Sequence, residues 1–144
     1  MRRNILVDID HVLSNAFWRD GMIGQVPWDE YHAANKDDKP IDDMVWIVNT
    51  LAVDFNIVAF TARPAKWRKQ TMDWLIKNDV MVHEVLMRPD DNFRPAPELK
   101  LELVKARFEN PAAAVAAILD DRLDVCSAFA QMGITSLQVF ARSK

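Results

Sequence analysis

Short apolar runs alternate along the chain with longer segments in which apolar residues recur every three or four positions. The short runs have the length and composition of buried strands, and they lie at residues 4–7, 57–60, 81–87, 114–119 and 136–140. The longer segments have the spacing of amphipathic helices, the first of them between Ile41 and Leu51. Pro64 and Pro97 suit the first turn of two further helices, and Gly133 suits the end of a fourth.

Alternation of strands and helices predicts the fold class. Strands joined by helices form right-handed crossovers, which produce a mostly parallel sheet covered on both faces. We therefore expect a three-layer, Rossmann-like α/β fold with a parallel sheet of about five strands, formed by one domain over residues 1–144. In such sheets, ligands bind at the carboxyl ends of the strands.

Residues 14–40 depart from this alternation. They have no clean periodicity and contain Gly21, Gly24 and Pro27 together with several aromatic residues. We interpret them as a small flap inserted after the first strand. An insert of this size predicts only a minimal cap over the site.

Composition and charge exclude several classes of protein. The chain has 144 residues and a net charge of -3, which argues against a general nucleic-acid coat protein with a dominant basic surface. Cys126 is the only cysteine, so an intramolecular disulfide and a cysteine metal cluster are excluded. The first apolar stretch is too short for a signal peptide and no run could span a bilayer, so we expect a cytoplasmic protein without a membrane partner. No protein partner is evident, and the oligomeric state stays open.

Polar residues follow the predicted strands at the positions where each strand ends. Asp8 and Asp10 follow the first strand, Thr61 and Arg63 the second, and the acidic pair at residues 120–121 the fourth; Lys100 lies in the helix after the third. These positions converge at one edge of a parallel sheet, although they are far apart in the chain.

A cluster of four carboxylates needs positive charge. Carboxylates held together repel one another and take up protons unless a cation is present, and one lysine is too little. A hard divalent cation with oxygen ligands is the natural counterion, and Mg²⁺ fits best because it shares its sites with phosphate oxygens. A cation and a lysine also allow a carboxylate to attack a phosphate dianion.

The same residues resemble a known family. The sequence VDIDHVLSN at residues 7–15 resembles the first motif of the haloacid dehalogenase (HAD) superfamily, and FTAR at 60–63 its second. PELK at 97–100 and ILDDR at 118–122 are similar to its third and fourth motifs. The run MRPDDNFRPAPELK is most similar to the phosphatase domain of phage and bacterial polynucleotide kinase-phosphatases. His11 and Val12 stand where the first motif has Gly-Thr, and Asn15 where it has aspartate.

The resemblance implies a two-step phosphatase reaction. Asp8 would attack phosphorus and become an aspartyl phosphate, while Asp10 would protonate the leaving oxygen and then activate water. Thr61 would bind a phosphoryl oxygen, and Lys100 would neutralise charge. The metal would be held by Asp8, by the backbone carbonyl of Asp10, and by Asp120 or Asp121.

The same resemblance makes Arg63 a ligand of the substrate phosphate. His11 lies in the site by its position, where it could contact substrate or shape the turn. The flap residue Trp18 could stack on a base or fold against the core, and Arg19 and Arg88 could contact phosphate or ribose or be solvated loop charges. Trp46, Trp67 and Trp74 lie on helical segments and are expected to pack in the core or against another helix.

The predicted function is hydrolysis of a phosphomonoester, on a nucleoside monophosphate or on a polynucleotide 3′-phosphate end. One alternative is a HAD phosphatase for a small metabolite that is not a nucleotide. Another is a phosphate-binding module without catalysis, against which the intact Asp8, Asp10 and Lys100 argue. A phospho-receiver domain is rejected because its acidic pair follows the first strand, whereas here it follows the fourth. The sequence has no glycine-rich phosphate loop, so no kinase site is expected in this chain.

Overall fold

A computed structural model of the protein describes residues 2–141. Its strands are β1 Asn4–Val7, β2 Ser14–Asn15, β3 Lys39–Pro40, β4 Asn56–Pro64, β5 Glu84–Arg88, β6 Val115–Asp120 and β7 Thr135–Gln138. Its α-helices are α1 Trp28–Ala33, α2 Asp42–Leu51, α3 Arg68–Lys77, α4 Ala96–Arg107, α5 Pro111–Ala114 and α6 Leu123–Gln131. Three short 3₁₀ helices lie at Phe17–Met22, Ala34–Asp37 and Ala65–Trp67.

Five of the strands form one parallel sheet in the order β5-β4-β1-β6-β7. β1 is central, and its residues Leu6 and Val7 are fully buried. One hydrophobic cluster packs α2 and α3 against one face of the sheet, and a second packs α4 and α6 against the other. This is the predicted three-layer α/β fold. The carboxyl ends of β1, β4 and β6 are adjacent at one edge.

All five predicted strands are present, but the bounds of four of them differ from the prediction. The predicted strand 57–60 is β4, which extends to Pro64 and so contains Thr61 and Arg63, and the predicted strand 114–119 is β6, Val115–Asp120. The predicted third strand began at residue 81, whereas β5 begins at Glu84. The amide of Met81 donates to the Asn49 side chain at 2.8 Å and that of Val82 to the carbonyl of Val80 at 3.0 Å, so neither donates to a neighbouring strand. The predicted strand 136–140 is β7, which begins one residue earlier and ends at Gln138. Gly133 follows α6 with φ of +82°, the left-handed conformation that ends a helix.

The predicted flap at residues 14–40 begins and ends with the antiparallel pair β2-β3 and contains α1 and two of the 3₁₀ helices. Helix α3 holds it against the sheet. The side chain of Gln70 donates to the carbonyl of His32 at 3.0 Å and to Asn35 Oδ1 at 2.7 Å. Trp74 Nε1 donates to the carbonyl of Asp38 at 2.8 Å. The flap is therefore a packed layer over the end of the sheet.

Trp74 is buried, as expected, but the prediction for Trp46 was wrong, since 72% of its surface is exposed. Trp46 does not lie on the apolar stripe of α2, whose buried residues are Met44 and Val48. Among residues 2–141, no helix has both the length and the apolar character that a membrane span requires.

Candidate active site

Asp8 and Asp120 lie side by side because β1 and β6 are neighbouring parallel strands. Val7 is paired with Leu119, and the amide of Asp8 donates to the carbonyl of Leu119 at 2.9 Å. Asp8 directly follows β1, Asp120 is the last residue of β6, and both are buried. Strand register therefore brings together two carboxylates that are 112 positions apart in the sequence.

Lys100 reaches both carboxylates from α4. Its Nζ lies 3.1 Å from Asp8 Oδ1 and 2.6 Å from Asp120 Oδ2, and 4.5 Å from the centre of the Phe60 ring. Burial by itself would lower the pKa of Lys100, but the two carboxylates raise it above its ordinary value. Lys100 is thus a buried ammonium group held in place by two ion pairs and an aromatic ring.

The carboxylates outnumber this lysine. Ligand oxygens of Asp8, Asp120 and Asp121 lie within 4.8 Å of one another. Burial, and after it the charge of Asp120, raises the pKa of Asp8 well above its ordinary value despite the opposing effect of Lys100. A divalent cation would remove this cost, and three carboxylate oxygens at this separation suit Mg²⁺. The donor set therefore fits the predicted cofactor.

Asp10 belongs to a second cluster, beside the first. Its Oδ1 accepts hydrogen bonds from Arg63 at 2.6 Å and Arg19 at 2.7 Å. Burial would raise the pKa of Asp10, but the two guanidinium groups hold it well below its usual range. The Asp10 side chain is therefore an ionised, doubly paired carboxylate.

Two residues that the sequence did not single out complete this second cluster. Thr71 on α3 accepts a hydrogen bond from Arg63 NH1 at 3.2 Å, and Asp38 at the end of the flap accepts two from Arg19 at 2.8 and 2.7 Å. Both residues are buried. Neither follows a predicted strand, so no pattern in the sequence marked them.

Thr61 and His11 flank the two clusters. Thr61 is buried and lies in β4, two residues beyond the last residue of that strand that pairs with β1. Its Oγ1 accepts a hydrogen bond from the amide of Arg63 at 3.1 Å. His11 has φ of +66°, the left-handed conformation that favours glycine, which is the residue of the HAD motif at this position. Its ring packs on Phe17 at 4.3 Å, and its Nε2 lies 3.2 Å from Asp20 Oδ1. His11 therefore lies in the turn between β1 and the flap, and a substrate contact for it stays a prediction.

Trp18, Arg19 and Arg88, the remaining predicted substrate ligands, differ in their exposure and in their hydrogen-bond partners. Trp18 is 54% exposed, with its Nε1 donating to Asp38 Oδ1 at 2.8 Å. Arg19 is fully buried, so the alternative of a solvated loop charge was wrong. Arg88 donates to the carbonyls of Ala62 at 2.8 Å, Asn92 at 3.0 Å and Arg94 at 2.8 Å, which fastens the loop after β5. A substrate contact for Arg88 stays a prediction.

His32 provides a test of how the flap packs beside this site. Burial lowers its pKa to about 4 from the ordinary 6.5. The unfolded chain therefore binds more protons than the folded protein between these values, and stability is lost as the pH falls from 6.5 towards 4. We expect the wild type to lose about 2 kcal/mol more than His32→Phe between pH 7 and pH 5 in urea unfolding. Equal losses in the two proteins would contradict the buried, neutral state of His32.

Comparisons with known proteins agree with this geometry. Residues 2–142 match the family model described as the polynucleotide kinase PNKP phosphatase domain. No curated protein sequence matches the chain. Pnkp1, in a structure of the Pnkp1/Rnl/Hen1 RNA repair complex, is 19% identical with a TM-score of 0.80 over 96% of this chain. The chain spans only 42% of that Pnkp1 chain.

Two HAD proteins of known structure share the fold. A haloacid dehalogenase-like hydrolase from Streptococcus pneumoniae has a TM-score of 0.67 at 11% identity, over 95% of this chain and 84% of its own. A HAD family enzyme from Bacteroides thetaiotaomicron, in complex with magnesium and inorganic phosphate, has a TM-score of 0.59 at 15% identity, over 100% of this chain and 97% of its own.

The family model spans nearly the whole chain, and HAD proteins of known structure share the fold. The chain therefore belongs to the polynucleotide kinase PNKP phosphatase domain family, within the HAD superfamily of phosphatases.

Proposed function

We propose that this chain hydrolyses phosphomonoesters of nucleotides, with Asp8 as the nucleophile and Mg²⁺ as the cofactor. The observation that carries the proposal is the buried Asp8–Lys100–Asp120 cluster, which lies at the carboxyl ends of β1 and β6 next to the paired Asp10. Such a cluster is costly for stability, because it holds more carboxylates than it can neutralise. A site that binds a cation and a phosphate group accounts for that cost.

The first step forms a bond between a carboxylate oxygen of Asp8 and phosphorus while the bond from phosphorus to the ester oxygen breaks. Asp8 Oδ1 accepts hydrogen bonds from the amide of Ile9 at 2.8 Å and from Lys100, so the second oxygen is the better placed nucleophile. The leaving oxygen takes a proton from Asp10. Asp8, the Asp10 carbonyl, and Asp120 or Asp121 would hold Mg²⁺, whose charge would offset repulsion between the carboxylate and the phosphate.

In the second step a water molecule attacks the aspartyl phosphate. Asp10 accepts the proton of this water, the bond between Asp8 and phosphorus breaks, and inorganic phosphate leaves. Lys100 stabilises Asp8 as its negative charge returns, and the Thr61 hydroxyl donates to a phosphoryl oxygen. Asp10 is thereby protonated again, as it was before the first step.

The first step needs Asp10 in its protonated form, whereas its ion pairs with Arg63 and Arg19 favour the ionised form. A phosphate dianion is a strong competitor for the Arg63 guanidinium, because its oxygens accept a planar pair of hydrogen bonds. When Arg63 turns from Asp10 to phosphate, the charge that holds the pKa of Asp10 low is partly withdrawn. Substrate binding would therefore prepare Asp10 to act as an acid.

The nucleotide part of the proposal has separate support. The matching family is that of a polynucleotide kinase, and the Pnkp1 relative was solved as part of an RNA repair complex. The exposed Trp18 and the buried Arg19 both donate hydrogen bonds to the same carboxylate, that of Asp38. An exposed aromatic beside a phosphate site is suited to stack on a base. The substrate would be a nucleoside monophosphate or a polynucleotide 3′-phosphate.

The test is phosphate release with Mg²⁺ from nucleoside 3′- and 5′-monophosphates, a 3′-phosphorylated oligonucleotide, p-nitrophenyl phosphate and a sugar phosphate. We expect kcat/KM to be at least about 10-fold higher for the preferred nucleotide than for the two substrates without a base, since stacking on a base contributes about 1–3 kcal/mol. A preference for the sugar phosphate would favour the metabolite alternative. Release from none of them would favour a binding module.

A further inference from the structure

Asp38 accepts hydrogen bonds from two consecutive residues of the flap, Trp18 and Arg19. Its Oδ1 accepts hydrogen bonds from Trp18 Nε1 and Arg19 Nε, both at 2.8 Å. Its Oδ2 accepts one from Arg19 NH2 at 2.7 Å and lies 3.7 Å from Arg63 NH2. One carboxylate thus contacts the exposed tryptophan and lies within ion-pair distance of both arginines that pair with Asp10.

The backbone of Asp38 is held on two sides. Its amide donates to the carbonyl of Asn35 at 3.1 Å, and its carbonyl accepts the hydrogen bond from Trp74 on α3. The next residue begins β3, which pairs with β2. The carboxylate therefore extends from a rigid backbone at the base of the flap.

Charge explains why Arg19 needs this partner. Arg19 is fully buried, and an unpaired buried guanidinium is very costly. Its NH2 group is shared between Asp10 Oδ1 and Asp38 Oδ2, at 2.7 Å from each. The parallel pair of hydrogen bonds to Asp38 fixes the plane of the guanidinium, and that plane determines where the group meets Asp10.

We propose that Asp38 is a positioning residue: through Arg19 it orients Asp10, and through Trp18 it holds the exposed ring in a fixed orientation. This inference rests on the proposed function, since it assumes that Asp10 takes part in the reaction. Asp38 contacts none of the three carboxylates of the candidate metal cluster. Its effect is therefore expected on turnover and on recognition of the base, without an effect on metal binding.

The first test is Asp38→Asn assayed with the sugar phosphate, which has no base and whose alkoxide leaving group needs a proton from Asp10. We expect kcat to fall about 10- to 100-fold with KM changed less than about 3-fold, because a misplaced proton donor affects the transition state more than binding. Mg²⁺-dependent thermal stabilisation is expected to stay as in the wild type. An unchanged kcat in the folded variant would overturn the proposal.

A double-mutant cycle separates positioning from a general loss of structure. Arg19→Lys keeps the charge but removes the planar pair of hydrogen bonds, so Asp38→Asn is expected to change kcat less than about 3-fold in that background. Independent, multiplying effects of the two substitutions would overturn the role through Arg19. Asp29→Asn is the matched control, since Asp29 is also a flap carboxylate in an ion pair, 2.6 Å from Lys66. Its kcat is expected to stay within about 2-fold of the wild type.

The contact with Trp18 is tested with the preferred nucleotide. Trp18→Phe keeps an aromatic ring but lacks the N–H that binds Asp38, so we expect KM for the nucleotide to rise while kinetics with p-nitrophenyl phosphate stay unchanged.

If Asp38→Asn does not fold, Asp38→Glu takes its place, because it keeps the charge but displaces the carboxylate. If the wild type is active and the Asp38 variant has the same kcat, only the role of Asp38 is overturned. Inactivity of the wild type on every phosphomonoester would overturn the proposed function as well.

Discussion

Replacing Asp8 by asparagine is expected to lower phosphate release by roughly 10³-fold or more, because an amide does not act as a nucleophile towards phosphorus. The variant should nevertheless be folded. The pKa of Asp8 is raised by burial and by Asp120, so the charged form is already unfavourable without a metal. A neutral side chain of the same shape is expected to keep or raise the unfolding temperature in EDTA. Thermal unfolding with and without Mg²⁺, together with phosphate release from p-nitrophenyl phosphate, measures both effects.

The matched control is Asp124→Asn. Asp124 lies near the same edge, at the start of α6, and forms an exposed ion pair with Arg122 at 2.7 Å. Exposed pairs contribute about 0–1 kcal/mol, and Asp124 is not part of the metal cluster, so activity should be unaffected. A comparable rate in Asp8→Asn and the wild type would show that another residue is the nucleophile.

Replacing Lys100 by methionine is expected to be the most destabilising single change in the site. It would leave Asp8, Asp120 and Asp121 without their internal cation, and removal of one partner of a buried ion pair costs about 3–5 kcal/mol. We expect this loss in urea unfolding with EDTA, and a partial recovery when Mg²⁺ is added. Activity is expected to fall about 10²-fold or more even at saturating Mg²⁺, since Lys100 also stabilises charge on Asp8.

Lys105→Met provides the comparison for Lys100, because Lys105 is an exposed lysine of the same helix. Its free energy of unfolding should change by less than about 0.5 kcal/mol. If Lys100→Met were as stable in EDTA as this control, the carboxylates would not depend on Lys100 for their charge balance. Stability independent of Mg²⁺ in Lys100→Met would count against a metal at this cluster.

Several features of the site could be predicted because they depend on strand ends alone. Asp8, Thr61 and Asp120 each follow an apolar run, and an apolar run of that length is a buried strand in any α/β protein of this kind. In a parallel sheet, the residues that follow neighbouring strands are forced to one edge. The convergence of Asp8 and Asp120 therefore followed from the pattern before any contact was known.

The flap could not be predicted in the same way. Its residues have no period, and Arg19 and Asp38 lie 19 positions apart in a segment rich in charge, where either could equally have been a solvated surface residue. Trp46 was expected to be packed because it lies on a helical segment, although the buried residues of that helix, Met44 and Val48, lie on the other face. Burial of these side chains depends on which surface a segment packs against, and that is decided by distant parts of the chain.

The sequence by itself determined the parallel sheet, the order of its polar strand ends and the kind of chemistry that an Asp-x-Asp, a lysine and an acidic pair can perform. These follow from periodicity and residue type, which act over a few neighbouring residues. Only the tertiary structure decided that Arg19 and Arg63 both pair with Asp10, and that Asp38 at the end of the flap holds Arg19 and Trp18. Ion pairs between irregular segments depend on the packing of the whole molecule, because a charge is buried only where a distant partner compensates it.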